Sequence, residues 1–133
     1  MPVRSSRDMV QAAMERVWTV DVPQALAWHG QPNRLFVDLR EPAELEREGA
    51  VPGALLAPRG VLEFWVDPAS DWHRPVFAQP GLHLVLYCAI GWRSALAALA
   101  LQEMGVERVC HLGGCFHAWK AAGAPVQDPT GKR

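Results

Sequence analysis

The chain has 133 residues, three cysteines and a formal charge of −1. That length fits one domain able to bury a core without disulfides or metals. Acidic and basic residues alternate along it, so there is no basic face for nucleic acid and no acidic tail. No apolar stretch reaches the roughly 20 residues of a membrane span. The opening "MPVRSSRDMV" lacks the apolar region of a secretory leader, so a cytoplasmic protein with reduced thiols is expected. In chain order, Ser5 or Ser6 is placed to cap a helix running to about Val17, and "VWTVD" reads as a short strand. Asp21 and Pro23 signal the start of a helix ending at Gly30. Leu35–Leu39 is a short apolar run of the kind a parallel sheet buries on both faces. "PAELERE" predicts a helix closed by Gly49, "VPGALLAP" a turn with a brief strand, and "RGVLEFWV" another short helix.

Residues 67–81, "DPASDWHRPVFAQPG", carry three prolines and no periodicity, which predicts an irregular connection and a candidate rim for a site. The second half reads more regularly. "LHLVLYC" is a strand, "SALAALALQEMG" a helix beginning near Ser94, "RVCHL" a strand and "FHAWKAAG" a closing helix. Strands alternating with helices predict an α/β fold, a central mainly parallel five-stranded sheet with helices on both faces. The expected organisation is an N-terminal helical extension over 1–17, a domain over 18–126 and a polar tail over 127–133.

Chemistry concentrates at "YCAIGWRS". Ligands of open α/β sheets bind beyond the carboxyl ends of the strands, and Cys88 stands at that edge. Ala89, Ile90, Gly91, Trp92, Arg93 and Ser94 then turn into a helix, so their amides form an anion-binding concavity at its positive end. Such surroundings lower a thiol pKa from about 8.5 and make the thiolate available as nucleophile. Gly91 supplies a backbone conformation that other residues resist. Arg93 either adds charge at the rim or ties the loop to the domain. Arg59 is a candidate rim residue for an anionic donor, or else a solvated surface arginine. Cys115 follows "GG" at the same sheet edge and is a candidate resolving thiol, while Cys110 reads as core. His29, His73, His83, His111 and His117 have no metal-ligand spacing and read as structural or exposed, with His117 the one placed near the site. Asp38 and Arg40 read as braces of the fold.

Three stretches resemble one family. "CAIGWRS" resembles the Cys-x-x-Gly-x-Arg-Ser/Thr loop of rhodanese-like, single-domain sulfurtransferases. "VDLREPAELEREGAVPGALLAP" resembles the family's Asp-x-Arg-x-x-x-Glu and Gly-His-Ile-Pro-Gly-Ala through Asp38, Arg40, Glu44, Gly49, Pro52, Gly53 and Ala54, with Ala50 where the family has His. "LGGCFHAW" resembles its closing Leu-x-Gly-Gly-x-x-x-Trp through Leu112, Gly113, Gly114 and Trp119. The resemblance implies a Cys88 persulfide that carries sulfane sulfur from a small-molecule donor, thiosulfate-like or persulfide, to a thiol, cyanide or protein acceptor. It implies no metal and no organic cofactor. Phosphatases and arsenate reductases on the same fold use a longer Cys-x5-Arg loop; here Ala89, Ile90, Gly91 and Trp92 alone separate Cys88 from Arg93. A non-catalytic interaction or sulfur-carrier module is the other class of reading.

Overall fold

Local capping sets the first elements of the structure, a computed structural model that describes residues 2–128. Ser5 Oγ accepts from the Asp8 amide at 3.0 Å and opens α1 (Ser6–Arg16); a short polar side chain thereby satisfies a donor the helix leaves orphaned. β1 (Thr19–Val20) leads to Asp21, whose carboxylate caps α2 (Val22–Trp28) through the Gln24 amide at 3.0 Å. β2 (Arg34–Asp38) is followed by α3 (Pro42–Glu48), whose start is a reciprocal box between Glu41 and Glu44. β3 (Leu55–Leu56), a 3-10 turn at Arg59–Val61 and α4 (Leu62–Val66) come next. Then follow β4 (His83–Tyr87), α5 (Trp92–Glu103), β5 (Val109–Leu112) and α6 (Cys115–Ala121).

The five strands form one parallel sheet in the order β1-β5-β4-β2-β3. β4 is central, and every residue of "HLVLY" is buried, as a strand covered on both faces requires. α1 and α4 pack with α5 on one face. On the other face His29, which follows α2, meets Trp119 of α6 edge-on at 5.7 Å, and Phe36 of β2 lies 5.8 Å from the same indole. This is the α/β fold expected, and it puts the turns after β2, β4 and β5 side by side at the carboxyl edge.

Several expectations shift in detail. α5 begins at Trp92 rather than near Ser94, because Gly91 in a left-handed conformation already ends the loop. Trp92, Arg93 and Ser94 therefore belong to the helix's first turn. Within 67–81 there is a 3-10 turn at Pro75–Ala78. Phe77, Gln79 and Gly81 border a cavity with Gly105–Arg108 at the amino ends of β4 and β5. That part of the connection is therefore at the edge opposite Cys88 and forms no rim there. α1 packs along α5 with Ala13 wholly buried. Gln127, the first residue of the expected polar tail, exchanges two backbone hydrogen bonds with Ala50, at 2.8 and 2.9 Å. Residues 129–133 lie outside the described residues.

Candidate active site

The fully buried β4 delivers Cys88 to the sheet edge, where the residue is 1% exposed. Gly91, at φ 119°, reverses the chain so that its amide donates to Cys88 Sγ at 3.2 Å. A Cβ at this position would meet nothing closer than Met14 Cε at 3.7 Å, so the positive φ and not crowding selects glycine. Ser94, one turn into α5, brings its hydroxyl to 3.6 Å from the same sulfur. Ile90 and Trp92 flank the loop and are more than half exposed.

The turn after β5 closes the site from the other side. Gly114 (φ 70°) and Cys115 (φ 51°) both adopt left-handed backbone, and among the described residues Cys115 is the non-glycine residue that does so. A Cβ on Gly114 would stand 2.5 Å from Ala118 Cβ, so this turn admits only glycine there. The amides that open α6 then bond the Cys88 segment: Phe116 N–H donates to Cys88 O at 2.9 Å and His117 N–H to Ala89 O at 3.0 Å. Cys115 Sγ accepts from the Cys88 amide at 3.3 Å and lies 3.9 Å from Cys88 Sγ.

A line of polar groups runs beneath the two sulfurs. Ser94 Oγ is 3.1 Å from Cys115 Sγ and 2.9 Å from His111 Nδ1, and His111 Nε2 is 2.9 Å from Thr19 Oγ1. His111 is fully buried, and burial lowers its pKa to about 4, so the imidazole is neutral at pH 7. The Cys88 thiol is held well below the ordinary range. The largest cause is its hydrogen bond with Cys115; burial opposes it, and Ser94 and the Gly91 amide assist. Cys115 is driven the opposite way by the same contact, by burial and by the Cys88 charge. The contact thus drives the two thiols apart in acidity, Cys88 down and Cys115 up.

The charged candidates separate into two roles. Arg93 turns to Glu44, its two terminal nitrogens donating at 2.8 and 2.9 Å, which ties α5 to α3. That fork holds the Glu44 carboxyl at about 2. Arg59 donates to Glu63 Oε1 at 2.6 Å on its own helical stretch, so its charge is already matched. Asp38 and Arg40 are both fully buried and brace the fold: Arg40 donates to Asp38 at 3.0 and 2.7 Å and to Gly49 O at 2.8 Å. Tyr87 O–H donates to Asp38 at 2.7 Å and accepts from the Val51 amide at 3.2 Å.

His111, not His117, is the histidine at the site. His117 reaches it by its backbone alone, with the residue exposed, whereas His111 is hydrogen-bonded to Ser94. Thr19 was missed as well. A polar residue inside the otherwise apolar "VCHL" was the available signal, since a buried imidazole needs partners.

Fold and site together define an α/β domain with a buried thiol held against the first turn of a helix. The chain belongs to the rhodanese-like domain family, whose model matches residues 21–122. Among its relatives, a protein of Allochromatium vinosum named a sulfurtransferase is 33% identical over 97 residues, 73% of this chain and 81% of that protein. A solved structure from Rhodopseudomonas palustris, described as a protein of unknown function and possible tyrosine phosphatase, is 41% identical with a TM-score of 0.89. It covers 96% of this chain and 99% of its own. The solution structure of a rhodanese-like domain from Anabaena sp. is 25% identical, with a TM-score of 0.67, covering 86% of this chain and 82% of that one.

Proposed function

We propose that the protein is a sulfurtransferase with Cys88 as its nucleophile. The Cys88 thiolate attacks the sulfane sulfur of a small-molecule donor, takes it up as a persulfide and expels the remainder, sulfite in the case of thiosulfate. An acceptor thiol, cyanide or a protein nucleophile then removes the terminal sulfur and returns the thiolate. The observation that carries this reading is the setting of Cys88 Sγ, with the Gly91 amide at 3.2 Å, the Ser94 hydroxyl at 3.6 Å and the start of α5 beside it. These groups stabilise the anion at rest and the negative charge carried by the persulfide. Family membership and the sulfurtransferase name of the Allochromatium relative support it. Three free thiols suit a reducing compartment such as the cytoplasm.

The phosphatase description of the Rhodopseudomonas structure is the competing chemistry. A phosphatase loop directs an arginine at the tetrahedral oxyanion. Here Arg93 is forked to Glu44 by both terminal nitrogens, with Cys88 a lesser influence on its charge, and the loop is one residue shorter than Cys-x5-Arg. An interaction module, the remaining rival, has no need of a thiol held as an anion.

The test is intact mass measurement after incubation with thiosulfate, with iodoacetamide reactivity followed against pH. Wild type gains one sulfur that cyanide removes, and Cys88→Ser gains none. Alkylation of Cys88 has its inflection well below the about 8.5 of a free thiol, because the lowered pKa keeps the thiolate populated until the medium turns acidic. Hydrolysis of an aryl phosphate without any sulfur adduct overturns the proposal.

A further inference from the structure

Cys115 forms no bond to sulfur in the transfer just described, yet it is built into the site. Cys110 shows what an ordinary core thiol looks like in this chain: buried, 3.7 Å from the Leu84 carbonyl, and pushed up to about 12 by burial. Cys115 is equally buried but stands 3.9 Å from Cys88 Sγ and 3.1 Å from the Ser94 hydroxyl. Its φ of 51° is a left-handed conformation that a non-glycine residue adopts only at a cost. The backbones are joined next to the two sulfurs by the Phe116 N–H to Cys88 O bond of 2.9 Å. Closing the sulfurs to the about 2.0 Å of a disulfide asks for a shift of roughly 2 Å shared between two side chains.

We propose that Cys115 is a resolving thiol that attacks the inner sulfur of a Cys88 persulfide, forming a Cys88–Cys115 disulfide and releasing the terminal sulfur as hydrosulfide. The step rests on the persulfide reading above. The bond between the two persulfide sulfurs breaks as the Cys88–Cys115 bond forms. The terminal sulfur leaves with the electron pair and is reduced to sulfide, while the Cys115 sulfur is oxidised to the disulfide level that Cys88 already holds in the persulfide. The Cys115 proton passes to Ser94, the hydroxyl within reach of both thiols, and departs with the leaving sulfur. His111, held by Thr19, fixes that hydroxyl between them. No external oxidant enters. A dithiol reductant returns the pair to the free state, so the two-thiol cycle converts sulfane sulfur to sulfide. External acceptors compete with it for the same persulfide.

The experiment loads wild-type protein with thiosulfate or polysulfide, removes the donor and withholds any thiol. The expected result is sulfide release that matches persulfide loss, a protein lighter by two hydrogens than its reduced form, and a Cys88–Cys115 cross-linked peptide. Cys115→Ser loads sulfur but releases sulfide about tenfold more slowly or not at all. A persulfide that persists on wild type, sulfide release without the cross-link, or an equal release rate in Cys115→Ser overturns the inference. Wild-type peptide mapping decides the point even where the variant fails to fold. If no sulfur loads under any donor, it is the proposed function that fails. A second arm then tests Cys115 alone: substoichiometric hydrogen peroxide converts Cys88 to the sulfenic acid, and attack by Cys115 expels water to give the same disulfide. Sulfinic acid at Cys88 with no cross-link overturns the resolving role.

Discussion

A neutral histidine with no exposed surface sits among thiols and hydroxyls at position 111, and its hydrogen bonds to Ser94 and Thr19 hold the imidazole in place. Its folded pKa of about 4 lies below the 6.5 of an exposed imidazole. Below pH 6.5 the unfolded chain binds the proton that the folded chain refuses, so the stability this group contributes is present above 6.5 and is lost as pH falls toward 4. The linkage is worth about 3 kcal/mol over that window. Urea midpoints measured between pH 7 and 4 should fall steeply for wild type and less for His111→Gln. Equal slopes would show the burial of His111 to be unimportant. The contacts of this residue were not legible in sequence, since Thr19 and His111 meet through the pairing of β1 with β5. Cys88, Gly91 and Ser94 were legible because one turn of contiguous chain brings them together.

Between elements, the carboxyl ends of β2 and β4 are locked by charge instead of by apolar packing. Asp38 receives both Arg40 and Tyr87, and Tyr87 in turn receives the Val51 amide, so one carboxylate joins two strands and the turn before β3. The Arg40 guanidinium also stacks on Phe116 at 4.2 Å, which links this lock to α6 and hence to the turn bearing Cys115. Removing one member of a buried pair leaves an uncompensated charge at a cost of about 3–5 kcal/mol. Arg40→Leu is therefore expected to lower the unfolding free energy by that order. A loss under about 1 kcal/mol in a denaturant titration would contradict the lock. The spacing of Asp38 and Arg40 told of a brace; that its third partner is Tyr87 followed from strand pairing, Asp38 facing Tyr87 in register. Arg93 is the converse case, where the sequence left rim and tether open: the fork to Glu44 makes it a tether, while its charge also couples to Cys88.

At the scale of the molecule, α1 is part of the body that holds the site. Ala13 is buried against α5, and Met14 reaches to within 3.7 Å of where a Gly91 side chain would begin. Ala13→Leu should overpack this seam and lower stability by about 1–3 kcal/mol. Faster proteolysis within residues 6–16 and slower alkylation of Cys88 are the expected signs; a variant unchanged in both would show α1 to be independent of the site. The alternation of strands and helices made the α/β fold readable from the chain, whereas the packing of α1 was not, because its exposed Met9 and Met14 leave a thin apolar face.

β4 and β5 are parallel neighbours paired from Leu84 with Val109 to Leu86 with His111, and both cysteines issue from the turns just past that pairing. Neighbouring strands lie about 4.8 Å apart, close to the Cα separation a disulfide spans, about 5.5–6 Å at its commonest. The strand spacing thus sets how far apart the two turns begin, and the left-handed backbone at Gly91, Gly114 and Cys115 brings the sulfurs to 3.9 Å. In this chain the β4–β5 pairing thereby makes neighbours of two thiols 27 positions apart, and the same strand order that places one sulfur at the edge places the other beside it.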